Sequence, residues 1–293
     1  MLLVTGASGY VGQALCAELI KNNIEFLHCG RSNKNDLIQK FFIPTDLSKV
    51  DLEWTRSFKQ ITQIVHLAAA VPHSSEYPDN FNSKFITNTI DKNIYNLQKI
   101  NNCRVIYFSS CGLYSKTQVN FHAEEAFDSL VARTPYYQAK IDGEELFSSN
   151  DKHLIFRLSA PVGKTVQPGL VLDKMIKDAV RLKQILVHDD GIREQDFISN
   201  IDVTKAIVQV LRVNISGTYN LCSSNPVAMK SLAKLIAKCF EKVDVTFLSH
   251  VKTPNENMSR YDNQKLKNAI DWAPTLNIEQ IIANIMEHTR GKN

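Results

Sequence analysis

No stretch of the 293 residues approaches the ~18 consecutive apolar positions that a membrane-spanning helix requires, so no transmembrane segment is expected. Blocks of like charge are also missing. The 34 basic and 30 acidic residues are interspersed, leaving no electrostatic footprint for nucleic acid or an anionic membrane surface. The six cysteines, Cys16, Cys29, Cys103, Cys111, Cys222 and Cys239, contain no Cys-x-x-Cys pair. Their spacing argues against a zinc or other metal site and against a disulfide framework, and a reducing cytoplasm is the expected location. The chain opens directly on the apolar run Met1 to Val4, with no room for the charged region of a secretory leader, so secretion is not expected. Internal repeats and low-complexity tracts are absent. What remains, 44% hydrophobic and 22% charged, describes a globular protein with one large domain or a domain and a smaller lobe.

The stretch Thr5-Gly6-Ala7-Ser8-Gly9-Tyr10-Val11-Gly12 organises the reading of the rest. A glycine triplet alone is also what an ordinary turn contains. Here it lies between a short apolar strand, Met1 to Val4, and a segment with Val11, Leu15, Leu19 and Ile20 at helical spacing. In that context Gly6 serves a tight turn, Gly9 the close approach of backbone to a pyrophosphate, and Gly12 the packing of helix on strand. The helix N-terminus then faces the anion.

Further strands are expected at Glu25 to Cys29, Phe41 to Ile43, Ile64 to Ala70, Arg104 to Phe108, His153 to Leu158, Gly217 to Leu221 and near Val243 to Phe247. Helices are expected at Phe81 to Ile100, Ile141 to Phe147, Val171 to Lys183 and Ile278 to His288, with others beginning near Asp202 and Lys230. Strands alternating with helices imply an α/β fold with a doubly wound parallel sheet. The second strand ends in Gly30-Arg31-Ser32, with Lys34 nearby. An acid at that tip suits the ribose hydroxyl of NAD and a base suits the 2′-phosphate of NADP, so Arg31 favours NADP unless it is simply a solvated arginine. The small residues Ala68 to Ala70, at the end of the fourth strand, suit either a ligand crossing that edge or plain packing.

Tyr136 and Lys140 stand four apart and share one helix face. A lysine ammonium close to a phenol favours the phenolate and lowers a pKa that is ordinarily near ~10. Tyr136, or alternatively Tyr137, could then move a proton while a cofactor exchanges hydride, with a serine from the neighbouring strand end bonding the same substrate oxygen.

Taken together these motifs resemble the extended short-chain dehydrogenase/reductase family, of the NAD-dependent epimerase/dehydratase type that acts largely on nucleotide sugars. Thr5 to Gly12 is similar to its cofactor turn, Asp46-Leu47 to its adenine-contacting pair, and His66-Leu67-Ala68-Ala69 to its fourth-strand signature. Ser109-Ser110-x-x-x-Tyr114 and Tyr136-x-x-x-Lys140 resemble the catalytic serine segment and the Tyr-Lys pair. Arg157 to Gly163, Gly191-x-Arg193-x-x-Asp196-Phe197-Ile198 and Tyr219-Asn220-Leu221 follow later landmarks.

The resemblance implies a Rossmann domain over residues 1–158, completed by about 192–221, with a smaller C-terminal substrate-binding lobe from 159–191 and 222–293. It implies Ser110, Tyr136 and Lys140 as catalytic residues, with Lys140 also orienting the nicotinamide ribose. Cofactor contacts would come from Thr5, Gly6, Ser8, Gly9, Tyr10, Val11, Gly12, Arg31, Asp46, Leu47, Leu67, Ala68 and Ala69. Arg193 would meet the nucleotide diphosphate, and Cys111 is a candidate substrate contact. Dehydratases of the family carry an Asp-Glu pair where this chain has Cys111-Gly112, so dehydration is not expected. Arg31 points instead to an NADPH-dependent reductase of a 4-keto nucleotide sugar. The alternatives are a nucleotide-sugar 4-epimerase with tightly bound NAD, and a dinucleotide-sensing regulator without turnover. A nucleotide sugar is the expected partner and a homodimer the expected assembly.

Overall fold

Apolar strands that can be buried on both faces need helices on both sides, and the chain supplies them in alternation. A computed structural model describes residues 1–32, 36–58, 60–71, 81–114, 121–124, 130–166, 170–188, 190–248 and 259–290. The first six strands are β1 (Leu2–Thr5), β2 (Phe26–Gly30), β3 (Phe42–Pro44), β4 (Gln63–His66), β5 (Arg104–Ser110) and β6 (His153–Leu158). Short strands β7 (Ala160–Val162), β8 (Gln184–His188), β9 (Glu194–Gln195) and β10 (Phe197–Ser199) follow. β11 (Gly217–Leu221) returns to the main sheet before β12 (Val227–Ala228) and β13 (Asp244–Leu248). The helices are α1 (Tyr10–Lys21), α2 (Leu52–Ser57), α3 (Phe81–Asn101), α4 (Pro135–Ser148), α5 (Val171–Leu182), α6 (Asn200–Arg212), α7 (Met229–Ala237), α8 (Gln264–Ala269) and α9 (Ile278–Arg290).

The main sheet has seven parallel strands in the order β11-β6-β5-β4-β1-β2-β3. Strand order reverses between β1 and β4, which opens a crevice at the carboxyl edge where dinucleotides bind in folds of this kind. Alternation along the strands divides the core. Leu2, Val4, Val65, Ile106 and Phe108 face α1 and α6, where Leu15, Leu19, Val203 and Ile207 cover them. Leu3, Ile64, Val105 and Tyr107 face the other way, under Ile94 and Leu97 of α3 and Phe147 of α4. Each such side chain removed from water contributes about 1.5–3 kcal/mol before the entropy of ordering it. A separate core gathers Leu172, Met175, Ile185, Leu232, Ile236 and Ile282 from α5, β8, α7 and α9, and forms the smaller C-terminal lobe.

Two expectations shift. The fourth strand stops at His66 instead of reaching Ala70, because Ala68 N and Ala70 N leave the ladder to bond Thr5 Oγ1 and Thr87 Oγ1 at 3.3 and 3.0 Å. The helix expected from Ile141 begins six residues earlier, at Pro135. Thr134 caps it, its side chain accepting from Tyr137 N, and Pro135 supplies the preset φ of a first helical turn. Tyr136 is therefore helical, on the same rigid element as Lys140.

Candidate active site

Gly6 adopts φ +71°, a conformation that suits glycine, and a Cβ there would stand 2.6 Å from Ala68 N. Gly9 N bonds Gly6 O at 2.9 Å, closing the turn, and Gly9 caps α1. A Cβ on Gly12 would lie 2.2 Å from Gly6 O, so α1 packs directly on the turn. Ser8 and Gly9 are exposed and Val11 half-buried. The first turn of α1 has neither an acidic residue nor a side-chain cap, which leaves its amides and dipole available to an anion. These residues fit a dinucleotide pyrophosphate. Tyr10 reaches across the crevice: its hydroxyl donates to Thr165 O and accepts from Gly163 N, while Asn200 Nδ2 donates to Tyr10 O at 3.3 Å.

Around the crevice, Leu67, Ala68 and Ala69 are half-buried just beyond β4, with Leu67 N still bonded to Thr5 O at 3.2 Å. Asp46 is half-buried and folds onto its own turn, accepting from Ser48 N and Ser48 Oγ at 3.1 and 2.6 Å. The Ser48 hydroxyl is the main cause that holds its carboxyl below the ordinary range. Leu47 is buried under α3, and its carbonyl accepts from Asn93. Arg31 stands exposed one residue beyond β2, beside exposed Ser32, while Lys34 lies outside the described residues.

The three residues expected to do chemistry come from two adjoining elements. Ser110, the last residue of β5, is half-buried, and its hydroxyl accepts from Gly112 N at 3.0 Å. Lys140 is buried on α4, which packs on β5; its Nζ donates to Phe108 O at 2.7 Å and to Tyr107 Oη at 3.5 Å. The same ammonium lies 5.9 Å from the Tyr136 ring centroid. Burial lowers the pKa of Lys140, opposed by the charges of Asp91 and Glu144. Burial also raises the Tyr136 phenol above its ordinary value, with Tyr137 and Asp91 adding in the same direction. Desolvation is the largest influence on the ionisation of this phenol, ahead of the charged and phenolic neighbours.

Tyr137 is engaged elsewhere. A Cβ on Gly112 would fall 2.4 Å from its hydroxyl, and the Arg133 guanidinium lies 5.5 Å from its ring centroid. Arg133 also donates to Tyr114 O at 3.1 Å and to Gly112 O. Arg193 is half-buried, donates to Gln195 Oε1 at 3.3 Å, and its charge acts on Tyr137. Cys111 is fully buried with Tyr114, Cys222 and Tyr261, its thiol donating to Arg157 O at 3.0 Å. Burial pushes that thiol well above its ordinary range.

Sequence reasoning passed over a buried polar row beneath the site. Thr5 Oγ1 lies 2.7 Å from His66 Nδ1, His66 Nε2 lies 2.9 Å from Asp91 Oδ1, and Tyr107 Oη donates to Asp91 Oδ2 at 3.0 Å. A signal existed. Asp91 sits four residues after Thr87 and seven before Gln98, on a helix face whose other members include Ile94; all four are buried.

The profile of the NAD dependent epimerase/dehydratase family matches residues 2–222. By sequence, the chain is 24% identical to a provisionally named UDP-glucose 4-epimerase of Methanocaldococcus jannaschii, over 100% of this chain and 99% of that protein. It is also 24% identical to a dTDP-4-dehydro-6-deoxyglucose reductase of Escherichia coli, over 99% and 98%. By structure, it is similar to a Thermus thermophilus UDP-glucose 4-epimerase solved with NAD: TM-score 0.82, 18% identity, 100% and 99% coverage. Further solved relatives are also described as NAD complexes. This corrects the expectation drawn from Arg31. The cofactor named in those complexes is NAD, and the NADPH-dependent reductase reading falls with NADP. The physical reason lies at the strand tip, where an exposed arginine is as readily solvated as bound to a 2′-phosphate, so its charge alone selects nothing.

Proposed function

Because the chain belongs to the NAD dependent epimerase/dehydratase family, we propose that it is an NAD-dependent epimerase inverting the C4 hydroxyl of a nucleotide sugar. The observation that carries the reading is the placement of Tyr136 and Lys140 on one face of α4, against the β5 end that holds Ser110. Tyr136 takes the proton of the C4 hydroxyl and later returns it, acting as general base and then general acid. Ser110 hydrogen-bonds the same oxygen, and Lys140 supplies positive charge beside the phenol. NAD, when bound, would supply reversible hydride exchange at C4, so that inversion proceeds with no net redox change. Gly6, Gly9 and the open amides of α1 would hold the pyrophosphate, and Arg193 would meet the substrate's diphosphate.

Dehydration would need an acid after Ser110. Cys111 is buried, and the space beside Gly112 is filled by the Tyr137 hydroxyl, so neither position can present one.

Two measurements test the proposal. Purified protein unfolded in denaturant should release stoichiometric NAD, and UDP-glucose and UDP-galactose are the first pair to assay for interconversion. Tyr136→Phe should lower turnover by about 10²–10⁴-fold while retaining NAD. Stoichiometric NADP in the released fraction, or full turnover by Tyr136→Phe, would overturn it.

A further inference from the structure

Three parallel strands bring Thr5, His66 and Tyr107 into one row: Thr5 pairs with His66 between β1 and β4, and His66 with Tyr107 between β4 and β5. All three side chains point to the α3 and α4 side of the sheet, and Asp91 of α3 closes over them. Thr5 Oγ1 accepts from Ala68 N and, because the Asp91 carboxylate facing the other ring nitrogen can only accept, donates its hydrogen to His66 Nδ1. His66 Nε2 then carries the ring proton and donates it to Asp91 Oδ1. The second carboxylate oxygen accepts from Tyr107, whose oxygen in turn faces Lys140 Nζ at 3.5 Å.

A buried ammonium requires a counter-charge. Two buried carboxylates act on Lys140, those of Asp91 and Glu144. Glu144 is already engaged by Arg157, with contacts of 3.0 Å from Nε and 2.8 Å from Nη2. Among the described residues, the Asp91 carboxylate meets only an imidazole and a phenol at hydrogen-bonding distance. Gly143 makes the arrangement possible, because a Cβ there would lie 2.1 Å from Tyr107 Oη and 2.7 Å from Asp91 Oδ2.

We propose that Asp91 is a positioning residue for the reaction: acting through the Tyr107 hydroxyl and braced by His66, it keeps Lys140 charged and aimed beside Tyr136. The inference rests on the roles of Tyr136 and Lys140 proposed above. It has a sign that a bystander carboxylate would not have. The direct charge of Asp91 raises the Tyr136 phenol, so on that path alone removing the carboxylate would ease ionisation. A carboxylate acting through Lys140 favours the phenolate, so removing it would hinder ionisation. The ionisable groups facing Lys140 are Asp91 from α3, Tyr107 from β5, and Tyr136 and Glu144 from α4.

The experiment is an alkaline titration of tyrosinate absorbance in the NAD-loaded protein. Subtracting the matched Tyr136→Phe protein isolates Tyr136 from the remainder of the nine tyrosines. Lys140→Met, Asp91→Asn and Tyr107→Phe are each compared with wild type. All three should raise the Tyr136 titration, the latter two by roughly one pH unit, with about tenfold lower kcat at neutral pH, recovery at higher pH and little change in KM. A lowered or unmoved titration in Asp91→Asn, alongside a raised one in Lys140→Met, overturns the role of Asp91 and leaves the Tyr136-Lys140 reading standing. An unmoved titration in Lys140→Met overturns both. Should Asp91→Asn fail to fold, Tyr107→Phe cuts the same link with the carboxylate in place and decides by the same criterion.

Discussion

Gly9 and Gly12 are three residues apart in one motif, yet their surroundings differ. A Cβ on Gly12 would come within 2.2 Å of Gly6 O and 2.7 Å of Ala7 Cα, both backbone atoms that cannot move without opening the turn. A Cβ on Gly9 would come no closer than 3.1 Å to Gly6 O, on an exposed residue. Gly12→Ala should therefore destabilise the fold by about 1–3 kcal/mol and lose NAD as well. Gly9→Ala should cost less in thermal stability while still impairing NAD binding, because the crowding falls on the ligand side. Melting temperatures and NAD content of the two variants check this, and equal destabilisation would count against the division of roles. The glycine spacing was legible in the sequence, but which glycine serves packing and which serves the ligand depends on what lies opposite each.

At the scale of elements, α4 shows tertiary context outweighing propensity. Alanine exceeds glycine in a helix interior by about 1 kcal/mol, so Gly143→Ala ought to stabilise an isolated α4. In the protein it should destabilise, because the new methyl collides with Tyr107 Oη and Asp91 Oδ2. The urea midpoint decides, and an unchanged or higher value would mean that α4 shifts without cost. Helix α3 carries a related lesson. Its extent was readable from Phe81, Phe85, Ile90, Ile94, Leu97 and Ile100, and the observed helix runs Phe81–Asn101. The face was not readable. Phe85 is 70% exposed and Ile100 48%, while Thr87, Asp91 and Gln98 are buried. Hydrophobic periodicity assumes that polar residues prefer water, and a strand row with its own hydrogen-bonding groups reverses that preference. α2, α8 and β8 were not expected, being too short to display a period, whereas the strand expected near Val243 to Phe247 is β13, which β8 joins.

For the whole molecule, five of the six cysteines are buried and Cys239 is half-buried. Burial pushes the Cys16 and Cys29 thiols up from an ordinary 9.0 to about 12. A group whose folded pKa is raised contributes stability that is complete below the unfolded value and lost as pH rises toward the folded one. The protein should therefore weaken steadily above about pH 9, by on the order of 1 kcal/mol per pH unit for each such thiol. Buried phenols such as Tyr107 and Tyr114 act in the same direction. Urea midpoints measured from about pH 8 to about pH 11 check the slope, and a flat profile would contradict the burial of these groups.

The sequence by itself determined the α/β class, the parallel sheet, the glycine turn and the pairing of Tyr136 with Lys140, because each follows from local spacing and from which residues tolerate water. Only the tertiary structure decided that Tyr136 and not Tyr137 lies beside Lys140, that Cys111 is sealed in the core, and that Thr5, His66, Asp91 and Tyr107 meet beneath the lysine. Arg31 misled for the same reason. A charge in a sequence states what a residue could bind, whereas selection depends on burial and on the partners that the register of three strands and the approach of two helices bring within reach.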